Sequence, residues 1–178
     1  MSAPNRLSAE RLRHLLTYRP ESGCFFWNVE SRSGFKQSAI NHMPGDEAGT
    51  LRKSDGRIVI RVDGRTYLRY RLAWLWVTGK WPTREIDHMD GDPSNDRISN
   101  LREVSRVLNQ QNIRSPVKTK KSSQFLGVFA NKPGRAAPWR AAIQDRGRQI
   151  YLGAFMTEME AHEAYLSAKR RLHEGCTI

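Results

Sequence analysis

The sequence predicts an α+β fold in two units: an N-terminal antiparallel β-ribbon leading into a β-β-α segment, then three strands and a helix. Three observations carry that prediction. Two turn dipeptides, Asp55-Gly56 and Asp63-Gly64, flank a run in which Ile58, Ile60 and Val62 alternate with Arg57, Val59 and Arg61, the pattern of hairpin strands with one buried face. Three more strand-like runs, at 125–130, 139–144 and 149–155, precede a long stretch of helical period. Between the two regions lies a cationic stretch poor in core residues, 114–122, which reads as a linker. The expected segmentation is therefore 1–113, 114–122 and 123–178.

Taken in order, Ser8 caps a first helix running to Leu16, with Leu12, Leu15 and Leu16 on one face and Leu7 placed as a hydrophobic staple. Gly23 to Val29 reads as a buried aromatic strand, and Glu30 to Asp46 as a polar loop. In the hairpin region that follows, one face looks buried. The other carries Arg57 and Arg61, joined by Arg52, Arg65 and Arg69, and such a basic ribbon suits a DNA groove or a phosphate backbone. Arg71 to Thr78 is expected as a helix closed by Gly79 and stopped by Pro82. In the C-terminal unit Gly147 lies in the turn between the last two strands. Thr157 and Glu160 form a capping box ahead of a helix whose apolar face is Ala161, Ala164, Tyr165, Ala168 and Leu172.

Charge narrows the function classes. Lys and Arg number 30 against 18 Asp and Glu, a net charge of +12, which favours a polyanionic partner and above all nucleic acid. Arg114, Lys118, Lys120 and Lys121 of the linker could lie along a phosphate backbone. Two cysteines, Cys24 and Cys176, stand far apart outside any metal-binding spacing, which argues against a disulfide framework and a thiolate zinc site. The polar amino terminus and the short apolar runs predict a soluble intracellular protein with no membrane partner.

The segment from Glu85 to Asn112 (EIDHMDGDPSNDRISNLREVSRVLNQQN) is the most informative. Asp87 and His88 end one expected strand, Leu101 to Val104 form its partner, and Ser105 caps a helix carrying Asn109. A carboxylate, an imidazole and the two amides of Asn100 and Asn109 can hold a hard cation, deprotonate a water and orient the base. Oxygen ligands of this kind suit Mg²⁺ or Mn²⁺, one ion per site, and no zinc is expected. A calcium loop at Asp90–Asp92 lacks the sixth-position glycine and has Leu101 where a bidentate Glu is needed.

This I-D-H-x-D-G-D…N-L-R segment, about 84–112, resembles the HNH nuclease motif in its zinc-free form, as in phage and intron-encoded homing endonucleases. The resemblance implies His88 as general base, Asp87 and Asn109 as metal ligands, and Asn100 as the residue that orients the imidazole. Many relatives have His where this chain has Tyr70, so no catalytic role is assigned there. Residues 124 to 174, with F-L-G-V, P-W-R-A-A-I, I-Y-L-G-A-F and A-x-x-A-Y, are similar to the ethylene-response-factor type of DNA-binding domain. That likeness implies a three-stranded antiparallel sheet packed on one helix, with the sheet in the major groove. Its matched positions Trp139, Arg140 and Arg148, with Arg135 and Arg146, are then candidate DNA contacts. Phe125 and Leu126 replace a Tyr-Arg pair, so one base contact of that family is missing.

The reading is a monomeric, site-directed double-stranded-DNA endonuclease, phage-encoded and acting in the cytoplasm of a bacterial host. The alternatives are a non-catalytic DNA-binding regulator that keeps the fold, and a packaging or restriction nuclease.

Overall fold

The computed structural model describes residues 7–32, 40–113 and 123–177. It is α+β, with small antiparallel sheets and four helices among those residues. Its contacts divide the chain into two compact units, Met1–Val104 and Ser105–Ile178. Among the described residues no helix is long and apolar enough to cross a membrane.

The first unit opens with α1 (Ala9–Leu15), and the Ser8 side chain accepts from Arg11 N at 3.1 Å as its cap. Leu16, expected on the helix face, instead starts β1 (Leu16–Arg19), which pairs with β2 (Cys24–Trp27). The helix ends there because Leu16 is fully buried in extended backbone (φ −138°, ψ 141°), where it fills the core without continuing the turn. The span expected as a loop contributes β3 (Ser31–Arg32) and β4 (Ile40–His42), which pair with each other. β5 (Glu47–Ala48) joins the far edge of β2.

The ribbon is β6 (Thr50–Arg52), β7 (Arg57–Val62) and β8 (Arg65–Leu68), in that order across one sheet. Ile60 and Val62 are buried while Arg61 between them is exposed, as the alternation requires. α2 (Arg69–Thr78) follows and ends at Gly79. Its Leu72 and Leu75 meet Leu12, Leu16, Phe25 and Ile60 in one apolar core. That core supports β9 (Glu85–His88) and β10 (Leu101–Val104), which pair with His88 opposite Leu101 and Asp87 opposite Arg102.

The second unit starts with α3 (Arg106–Gln111), capped by the Ser105 hydroxyl, which accepts from Leu108 N at 3.3 Å. The sequence reading groups this helix with the first region. Contacts of its last turn and of the residues just after it reach the C-terminal helix and the residues that follow that helix. Gly175 N donates to Gln111 Oε1 at 3.0 Å, and Lys169 Nζ donates to the Ile113 carbonyl. The expected C-terminal sheet and helix are present: β11 (Val128–Ala130), β12 (Trp139–Asp145), β13 (Arg148–Phe155) and α4 (Glu158–Leu172). Ala161, Tyr165 and Ala168 of α4 pack on Val128, Ala141 and Ile143. Gly127 makes that approach possible, since a Cβ there would lie 1.9 Å from the Tyr165 ring. The Thr157–Glu160 capping box closes in both directions.

Candidate active site

Asp87 and His88 are the last two residues of β9, and both are buried, at 5% and 8% exposure. The strand end is shaped from three directions. Tyr70 of α2 meets the imidazole edge-on, with ring centroids 5.2 Å apart. From β10, Arg102 donates through Nε and Nη2 to Asp87 Oδ2 at 2.9 and 2.8 Å. From the loop beyond, Asp96 Oδ1 lies 2.8 Å from His88 Nε2.

Asp96 is fully buried, and its second oxygen accepts from Arg69 Nε at 2.8 Å. Arg69, expected on the exposed basic side of the ribbon, is instead turned inward. It is 6% exposed, bonded to Asp96 and to the Ser94 carbonyl, and 3.8 Å from Glu47. As the first residue of α2 it points into the loop and away from solvent. A buried guanidinium requires partners of this sort, and these, with Cys24 Sγ 3.7 Å from Nη1, surround it.

Asn100 organises the loop. Its carbonyl accepts from Met89 N at 2.9 Å, next to His88, and its side chain spans the loop through Asp90 N, Asp90 Oδ1 and the Asn95 carbonyl. Asp90 also accepts from Asn95 Nδ2 and from Asp92 N. Partial burial pushes its carboxyl up, but the bonds from Asn95, Asp92 and Asn100 outweigh this and leave it below the usual carboxylate range. Asn100 thus holds the chain from which the imidazole projects, and the hydrogen-bond partner found at Nε2 is Asp96.

Asn109 is on α3, in the second unit. Arg114, Lys118, Lys120 and Lys121 lie outside the described residues. In the ribbon, Arg57 is half-buried over the Tyr70 ring at 5.7 Å and 3.6 Å from Asp55, and Arg61 is exposed. Arg65 is exposed too, but it pairs opposite Val62, so it belongs to the other side of the ribbon from Arg57 and Arg61. The expected single arginine face is split for that reason.

In the second unit Trp139 and Arg140 are neighbours on β12 and therefore point to opposite faces. Trp139, expected as a DNA contact, is half-buried and packs against the core under α4. Arg140 is on the outer face, its guanidinium 5.1 Å from the Phe129 ring. Arg146 and Arg148 are exposed at the β12–β13 turn, and Arg135 is exposed in the loop before β12. A concave surface of about 750 Å³ joins Arg135 and Arg140 to Lys132 and Tyr151. Tyr151, 61% exposed, was missed in the sequence; alternation from core-facing Ile143 puts Ala142, and with it its cross-strand partner Tyr151, on the outer face.

Asp96 and Arg102 were missed as well. Arg102 follows from the register once β9 and β10 are paired, because it stands directly opposite Asp87. Asp96 has no local signal. Among the described residues no three or more His, Cys, Asp and Glu side chains are grouped as a metal would need. The donor chemistry still fits a hydrated hard cation. Such an ion takes one carboxylate oxygen and neutral oxygens and keeps several waters, and Asp87 offers that carboxylate.

Residues 67–111, the end of the ribbon through α3, match the family model described as HNH endonuclease. No match is found among curated proteins or among solved structures.

Proposed function

We propose that this chain is a metal-dependent DNA endonuclease of the HNH type, with a second unit that supplies affinity and site preference. The observation that carries this reading is the Asp87–His88 pair at the end of β9, buried and braced on several sides, inside the segment that matches the HNH family model.

His88 would take a proton from the attacking water as general base. Asp87 would hold the divalent ion, Mg²⁺ or Mn²⁺, with Asn109 as a further oxygen ligand on the motif's pattern. A bound ion of this kind supplies charge stabilisation at the scissile phosphate and at the leaving 3′ oxygen. Arg102, which grips the Asp87 carboxylate, would have to share or yield it when the ion binds. Asn100 keeps the loop after His88 in the shape that aims the ring. The sheet of the second unit would act as an ethylene-response-factor type reader through Arg140, Arg148, Arg146 and Arg135, with linker cations on phosphates. The setting would be a monomer of the homing type, phage-encoded and working in the host cytoplasm. A packaging or restriction role uses the same chemistry.

Incubation of the purified chain with supercoiled plasmid tests this. Cleavage is expected with Mg²⁺ or Mn²⁺ and none with EDTA, while DNA binding survives chelation. Binding without cleavage under every divalent ion would mark a regulator instead. Activity that depends on stoichiometric zinc would overturn the metal assignment.

A further inference from the structure

In the first unit one buried carboxylate has no part in the chemistry assigned above. Asp96 is fully buried, and each of its oxygens has a cationic or proton-donating partner at 2.8 Å, His88 Nε2 on Oδ1 and Arg69 Nε on Oδ2. Its main chain is pinned as well. The Tyr18 hydroxyl donates to the Asp96 carbonyl at 2.8 Å and accepts from Ile98 N at 2.8 Å. Burial raises the Tyr18 pKa to about 12, which keeps that hydroxyl protonated as a donor. The β1–β2 turn closes on the same spot: a Cβ at Gly23 would lie 2.6 Å from Asp96 C and Arg97 N. A loop carboxylate that only shaped a solvated turn would need none of this.

We propose that Asp96 is the positioning residue for His88, with Arg69 and Tyr18 fixing Asp96 in turn. This rests on the reading of His88 as the base. A carboxylate gripped by Arg69 has only lone pairs to offer, so the imidazole must donate to it through Nε2–H. That bond fixes the neutral ring as the Nε2-protonated tautomer, with the basic lone pair on Nδ1. When His88 acts, the proton from water goes to Nδ1 and the Nε2 proton stays between ring and carboxylate. Asp96 is not protonated; it stabilises the imidazolium that forms. The first hairpin of the chain thus serves the site by clamping the residue that aims the base.

Ring-nitrogen NMR of the intact, unaltered chain, above the imidazole titration, reads the tautomer directly. Nε2-protonated His88 is expected, and an Nδ1-protonated ring would overturn the proposal whether or not any variant folds. Asp96→Asn supplies the kinetic arm. At saturating DNA its turnover should fall by about 10²–10⁴-fold, with the dissociation constant for DNA unchanged within about twofold. If Asp96→Asn alone does not fold, Arg69→Met combined with Asp96→Asn removes both buried charges and takes its place. A folded variant cleaving at the wild-type rate, beside an inactive His88→Ala, would sink the positioning role and leave the base intact. Wild-type cleavage by His88→Ala would instead remove the base, while the ring-nitrogen spectrum still reports the pair.

Discussion

The two units use their arginines in opposite ways. In the first, the cations nearest the motif turn inward: Arg69 is buried against Asp96, and Arg102 is held on Asp87. In the second, Arg140, Arg146 and Arg148 stand on or beside the outer face of a sheet whose other face is closed by α4. The net charge of +12 is therefore no measure of how many cations face solvent, since Arg69 and Arg102 are bonded to carboxylates. The inward arginines set the geometry of carboxylates, and the outward ones remain for a polyanion.

The largest expected effect breaks the inward half of that contrast. Arg69→Ala leaves the Asp96 carboxylate buried with a lost partner, which costs about 3–5 kcal/mol of stability. Denaturant unfolding measures it, and a loss below about 1 kcal/mol would mean that Arg69 is not structural. Next comes a pair of neighbours on β12. Trp139→Ala should cost about 2–3 kcal/mol of stability, because a half-buried aromatic is removed from under α4, and should leave DNA affinity nearly unchanged. Arg140→Ala should do the reverse, moving stability by no more than about 0.5 kcal/mol and weakening DNA binding by about 1–3 kcal/mol if it reads a base. If it meets only phosphate, the salt dependence of binding should flatten by about one unit. Equal effects of both substitutions on affinity would erase the division between the two faces.

What the sequence made legible, and what it hid, follows the range of each interaction. The pairing of Asp87–His88 with Leu101–Arg102 was readable because turn residues and apolar spacing are local, and the motif sits on them. The capping box at Thr157 and the α4 face were readable for the same reason. β1 was hidden because Leu16 continues the helical period of Leu12 and Leu15, and only packing decides that it turns extended. Asp96 was hidden more deeply. In a run of Asp, Ser and Asn it looks like any solvated loop acid, and its partners Tyr18 and Arg69 are remote in sequence. The burial of Arg69 was hidden with it, since an arginine gives no local sign of which carboxylate it will meet. Trp139 and Arg140 are grouped by the family resemblance as matched positions, whereas a strand separates neighbours by face.

The smallest predicted effect concerns the exposed side of the same loop. The Asp90 carboxyl is held below its ordinary value in the folded chain, so its bonds stabilise the fold above the unfolded value and are lost as pH falls through the folded one. Asp90→Asn should therefore be less stable than wild type by under about 1 kcal/mol near neutrality, the scale of an exposed polar contact. The gap should close as pH drops below about 4, where the wild-type carboxyl also becomes protonated. A gap that stays constant from neutral pH to strong acid would show that charge at position 90 plays no part.

The most direct test of the first unit as a nuclease compares wild type with His88→Ala at saturating DNA and Mg²⁺, in single turnover. Removing a positioned general base should lower the rate by about 10²–10⁴-fold and leave DNA affinity within about twofold. Equal rates for the two proteins would contradict the assignment of His88 and, with it, the active site built around β9.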